Sequence, residues 1–356
     1  MTEPSPDVVS TRPIAAPSGA TSGSASVARP AEAAPTSIVA DRVASAPATP
    51  VVVLEGVSVR YGGQGALQDV SATFPRGAVG LLGPNGAGKS TLLRSLLGFL
   101  VPEAGRMQVL GRDVPGAGLD IRARIGYMPE ADAHIPGMNA VSFVAYCGEL
   151  SGLPRVDAMQ RAHEVLFYVG LGEARYRVAE TYSTGMKQRL KLAQALAHDP
   201  ELLFLDEPTN GLDPKGRDEM LDLIRDLAHR KGVNLILSSH LLPDVEHTCE
   251  HVVVLDRGRV VAQGPIDKLK KPSGQVFELR VKSETADAEA RFRQHLEASG
   301  FDWHQTDDGT LRVFVPGSSG ARDLFLVADH AGVQVRHLRP SVPTLEDVFA
   351  RAVGEA

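Results

Sequence analysis

The stretch that most constrains this chain is GPNGAGKST at residues 83–91, which follows the apolar run AVGLL directly and precedes the helix-like TLLRSLLGF. It has the full spacing of a phosphate-binding loop in the strand, loop and helix context that such a loop requires. Gly83, Gly86 and Gly88 let the backbone turn its N–H groups toward an anion, and the helix that follows adds the positive end of its dipole. Pro84, Asn85, Ala87 and Thr91 complete the loop. Lys89 is placed to reach the β and γ phosphates of a nucleotide, and Ser90 to offer its hydroxyl to Mg²⁺.

A second site follows 117 residues after Lys89, where LLFLDEP (202–208) reads as an apolar strand ending in two acids. Acids at the end of a buried strand are costly unless they meet a polar or metallic partner. Asp206 is therefore expected to hold Mg²⁺ through water, and Glu207 to orient or deprotonate an attacking water.

The surrounding texture is α/β. VVVLEGVSV, AVGLLG, LLFLDE, NLILSSH and HVVVLD are strand candidates, and continuous apolar runs among helices imply buried, largely parallel strands. Residues 139–198 turn helical, as an insert of about 131–198 within a domain spanning 51–271. After the break PSG, residues 272–356 read as a small α+β domain of ferredoxin-like type, with the order strand, helix, strand, strand, helix, strand and a last helix at PTLEDVFARAV. Thr344 is the expected cap of that helix.

Ala, Pro, Ser and Thr make up 33 of the first 50 residues, a composition too poor in burial to offset the entropy of ordering, so this tail is expected to be disordered. Glu3 and Asp7 in the start region, without an apolar stretch, argue against a secretory signal. Apolar runs such as residues 143–147 reach only five, whereas a spanning helix needs about 20. The formal charge of −6 argues against a nucleic-acid surface. Two cysteines, Cys147 and Cys249, are too few for a disulfide framework and fit reduced, cytoplasmic surroundings.

The stretch YSTGMKQRLKLAQAL (182–196), immediately upstream of LLFLDEP, completes a set of motifs that resembles the nucleotide-binding subunit of an ATP-binding cassette (ABC) transporter over residues 51–271. The resemblance implies a P-loop cassette with a helical subdomain, binding and hydrolysing ATP with Mg²⁺. In the family, the helix start at the signature contacts the γ phosphate held by the other subunit, so Ser183 and Gly185 would serve a second copy of this chain or a related cassette. Tyr61 matches the aromatic that stacks on adenine, Glu130 stands where the family has a glutamine lid that reaches the metal, and His240 matches the switch histidine. Asn210, Gly211, Leu212 and Asp213 match the loop that couples the two sites. Tyr182, Thr184 and Met186 depart from the family string in a way similar to the drug, ion and polysaccharide exporter branch.

By the same resemblance a separate membrane permease is the expected partner, with Phe143, Val144, Tyr146 and Phe167 as candidates for its groove, although most of these are expected in the core. The cassette would sit on the cytoplasmic face of the plasma membrane and power export. The alternatives are a soluble cassette ATPase acting on nucleic acid or ribosomes and a low-turnover regulatory cassette. No nucleic acid is expected as a partner, because the chain is acidic and carries one cassette without a long coiled-coil insert.

Overall fold

The computed structural model describes residues 49–354 apart from 62, 133, 271–273, 284, 307 and 318; the tail expected over residues 1–50 lies, save its last two residues, outside them. In chain order the first elements are β1 (Val52–Tyr61), β2 (Gln64–Phe74), β3 (Ala78–Leu82), α1 (Lys89–Leu96), β4 (Ala104–Val109), β5 (Arg112–Val114), α2 (Gly118–Arg122) and β6 (Ile125–Met128). The helical stretch holds α3 (Ala140–Leu150), α4 (Arg155–Tyr168) and α5 (Thr184–Leu196). The cassette closes with β7 (Leu202–Asp206), α6 (Pro214–His229), β8 (Asn234–Ser239), α7 (Leu242–Thr248), β9 (His251–Asp256), β10 (Arg259–Pro265) and α8 (Ile266–Leu269).

These elements form three layers. A sheet of order β10-β9-β3-β8-β7-β6 is parallel except for its β10 edge. Every residue of β3 and β7 is buried, because both faces of this sheet are covered. Side chains alternate between two cores. Val79, Leu81, Leu202, Phe204 and Ile236 face a core shared with α1 and β1, β2 and β4, whereas Leu82, Leu203, Leu205, Leu235 and Leu237 face one shared with α3 to α7.

One strand departs from the expected parallel pairing. The run at β1 lies in a second sheet, β2-β1-β4-β5, antiparallel to both neighbours. Burial on both sides produces the same continuous apolar run whichever way the neighbours point. Gly126 allows a close approach that matters for the site: a Cβ there would collide with the Ala195 carbonyl, so only glycine lets α5 lie tight against β6.

The C-terminal part contains β11 (Gly274–Lys282), α9 (Ala286–Ala298), β12 (Asp302–Gln305), β13 (Leu311–Pro316), α10 (Ala321–Ala331), β14 (Gln334–Ser341) and α11 (Leu345–Gly354). Its sheet has the order β12-β13-β11-β14 with every pair antiparallel, which is the split β-α-β arrangement. Phe292, Leu296, Leu324 and Val327 from its two helices close a separate core. The last helix returns to the cassette. Leu345 is buried in the same cassette core as Val245, and its amide donates to Glu246 Oε1 at 2.6 Å. Asp347 anchors the same helix to the C-terminal sheet through a two-pronged pair with Arg312 at 2.8 and 2.9 Å. Thr344 and Asp347 exchange hydrogen bonds across the first turn of α11, as a capping residue and its partner do.

Candidate nucleotide site

The phosphate loop is shaped by its glycines. Gly83, Gly86 and Gly88 all have positive φ, at 155°, 84° and 105°. At Gly83 a Cβ would strike the Leu255 carbonyl of β9, so the loop is wedged against the neighbouring strand. At Gly86 a Cβ would meet nothing within 4 Å, because this glycine faces the open cleft. The cleft has a volume of about 510 Å³ and is lined by Asn85, Gly86, Gly88, Lys89, Ser90, Thr91, Glu130, Glu207, Asn210 and His240, with Ala66.

Helix α1 begins at the floor of this cleft with no side-chain cap, leaving its first amides to an anion. The Lys89 ammonium donates to the Gly83 carbonyl at 2.7 Å and lies 3.5 Å from Glu207 Oε1. Strand β7 ends at Asp206, and the chain turns at Glu207 with φ of 50°, which swings its carboxylate over the loop. The other oxygen, Oε2, is 2.8 Å from His240 Nδ1, just beyond the end of β8. One buried carboxylate is thus held between a lysine and a histidine. Asp206 is buried under the cleft floor and accepts from Ser238 Oγ at 2.9 Å. Burial and the nearby Asp206 charge push the Tyr127 phenol up to about 12, so it stays a neutral donor beside that acid.

Glu130 follows β6 and reaches the cleft mouth, where Asn210 Nδ2 donates to its Oε1 at 3.3 Å. The side chains of Ser90, Asp206 and Glu130 offer hard oxygen donors, the chemistry that Mg²⁺ selects. Among the described residues no group of three or more His, Cys, Asp or Glu could hold a metal alone.

Other sequence-chosen residues lie apart. Ser183 caps α5, accepting weakly from the Met186 amide at 3.4 Å, and is exposed; neither Ser183 nor Gly185 lines the cleft of its own chain. Gly211, Leu212 and Asp213 continue from Asn210, with Leu212 near Gly185 and Asp213 capping α6 through the Gly216 amide. Gly83 and Pro84 serve the site through their carbonyls, which accept from Lys89. Tyr61 ends β1, and its side chain lies outside the described residues. Phe143 and Val144 are buried in the core, while Tyr146 and Phe167 are 43% and 64% exposed.

Sequence reasoning passed over three residues that organise this region. Lys191, only 4% exposed, donates to the Pro129 and Glu130 carbonyls, and burial lowers its pKa. Gln188 donates to the Asn210 carbonyl at 2.9 Å. Asp244 at the start of α7 accepts from Thr209 Oγ1 and Arg217 Nε, tying the segment after Glu207 to the segment after His240. A polar residue within the buried stripe of a helix was the available signal.

Fold and site together define a P-loop nucleotide-binding cassette. Residues 67–210 match the ABC transporter family. The bacitracin transport ATP-binding protein of Bacillus licheniformis is 34% identical over 296 residues, covering 83% of this chain and 94% of that protein. The daunorubicin/doxorubicin resistance ATP-binding protein of Streptomyces peucetius is 34% identical over 311 residues, covering 86% of this chain and 93% of that protein. Among solved structures, cbiO1 from Clostridium perfringens, part of the ABC transporter complex cbiONQ, has a TM-score of 0.56 at 27% identity, covering 61% of this chain and 88% of that one. The chain belongs to the ATP-binding subunits of ABC transporters.

Proposed function

We propose that this chain hydrolyses ATP as a dimer of two copies and thereby powers export through a separate membrane permease. The observation that carries the reading is the Glu207 carboxylate, held 2.8 Å from His240 and 3.5 Å from Lys89 beside an open phosphate loop. In this reading the amides of residues 86–91 and Lys89 bind the phosphates, and Tyr61 stacks on the adenine. Glu207 takes the proton of the attacking water, and His240, bonded to Glu207, orients it and faces the γ phosphate. Ser90, Asp206 and Glu130 would hold Mg²⁺, which supplies charge neutralisation on the phosphates when bound.

Ser183 is exposed, Gly185 is half-buried and neither lines its own cleft, so in this reading they act on the nucleotide of the partner copy. Asn210, Gly211, Leu212 and Asp213 run between the two, since Asn210 lines the cleft and Leu212 approaches Gly185. ATP closes the two cassettes and hydrolysis releases them, and this motion drives the permease. Support for export comes from the relatives named for bacitracin transport, daunorubicin/doxorubicin resistance and Nod factor export. No helix among the described residues is long and apolar enough to cross a membrane; the reading places the chain as a peripheral subunit at the cytoplasmic face, beside its permease.

Steady-state phosphate release from Mg²⁺-ATP tests the reading. Wild type turns over and Lys89→Ala does not. A wild-type chain that binds ATP but never releases phosphate, even with its permease present, would overturn it.

A further inference from the structure

Helix α5 grips the lid at two points. Lys187 and Lys191 are four residues apart, on one face of the helix. Lys187 Nζ lies 3.0 Å from Asp132 Oδ2. Lys191 Nζ donates to the carbonyls of Pro129 at 3.0 Å and Glu130 at 2.6 Å. Burying an ammonium is expensive, and a leucine would fill a helix-to-sheet contact at lower cost. The buried charge therefore does more than pack. Its partners are the backbone of the residue that carries the lid carboxylate and of the residue just before it. The carboxylate itself meets Asn210 at 3.3 Å, and the Asn210 carbonyl is held by Gln188 from the same helix. Both segments that bring Glu130 to the cleft mouth are thus fastened to α5.

We propose that Lys191 is a positioning residue for divalent-cation binding: by pinning the Pro129–Glu130 backbone to α5 it sets the Glu130 carboxylate where the cation of the bound nucleotide is met. The inference rests on reading the cleft as an ATP site. It also means that the helix whose N-terminus serves the partner's nucleotide holds the lid over this chain's own nucleotide.

The test measures equilibrium binding of a fluorescent ATP analogue to the full chain, titrated with Mg²⁺, in wild type, Lys191→Met, Glu130→Ala and the double variant. Loss of a group that orients a metal ligand costs about 10 to 100-fold in metal affinity. Lys191→Met is expected to raise the Mg²⁺ concentration for half-maximal effect about tenfold, while the Mg²⁺-free affinity for the analogue changes less than about twofold. In the Glu130→Ala background the same substitution is expected to add nothing, because its effect passes through the side chain that has been removed. An equal shift in both backgrounds, no shift in either, or a parallel loss of Mg²⁺-free binding would each overturn the proposal. Lys187→Met, a change at a half-exposed pair, covers the case in which Lys191→Met fails to fold: it should shift the Mg²⁺ requirement in the same direction, and no shift would count against the clamp. Failure of wild type to bind the analogue would instead sink the ATP reading itself.

Discussion

Glu207→Gln separates binding from chemistry. The native carboxylate is buried, 2.8 Å from His240 Nδ1 and 3.5 Å from the Lys89 ammonium. Glutamine keeps the shape and a hydrogen-bonding oxygen but cannot accept a proton from water at neutral pH. A positioned general base contributes about 10² to 10⁴-fold, or about 3 to 5 kcal/mol at roughly 1.36 kcal/mol per decade. Phosphate release at saturating Mg²⁺-ATP should fall by that factor. Affinity should move the other way, because the substitution removes an anion 3.5 Å from Lys89, the residue proposed to receive the γ phosphate. A titration with a fluorescent ATP analogue should give a Kd equal to or tighter than wild type. A rate loss under tenfold, or a Kd weakened in step with the rate, would refute the assignment of Glu207 as the base.

Two glycines of the phosphate loop should fail differently. Gly83→Ala drives a methyl into the Leu255 carbonyl and should lower the melting temperature, whereas Gly86→Ala meets open space and incurs only left-handed strain of about 1 to 2 kcal/mol while obstructing the phosphate; thermal melts and nucleotide titrations of the pair distinguish them. His198 is half-buried with a ring nitrogen at the Ile125 carbonyl, and partial burial lowers its pKa below the ordinary 6.5. The unfolded chain then binds a proton that the folded chain refuses, so its stabilising contribution is full above pH 6.5 and is lost as pH falls from there through the lowered folded pKa. Melting temperature followed from pH 7.5 to 5 should fall less steeply in His198→Gln than in wild type; equal slopes would remove this histidine from the account.

The phosphate loop was legible because its work is done by backbone, and only glycine at set positions permits that backbone. The buried strands β3, β7, β8 and β9 were legible as apolar runs. The same signal misled at β1, since a run of valines records two-sided burial and not the direction of its neighbours. Two departures in the signature acquire a local reason. Tyr182 is buried where the family has leucine, and its hydroxyl donates to the Ala174 carbonyl at 2.6 Å, while Met186 packs on the same core instead of presenting an amide. Lys191 was hidden because charge alone does not say which face of α5 is buried. The docking of Leu345 was hidden for a related reason: an apolar helix residue does not declare which of two cores it joins.

The central claim is that the cleft of one copy is completed by Ser183 and Gly185 of another. Light scattering of the Glu207→Gln chain after size exclusion, with saturating ATP and without it, tests this most directly. The account predicts a species of twice the 37.9 kDa chain mass only with ATP, abolished when Ser183→Arg is added although ATP is still bound. A single-chain mass at saturating ATP, or a dimer indifferent to ATP and to Ser183→Arg, would contradict it.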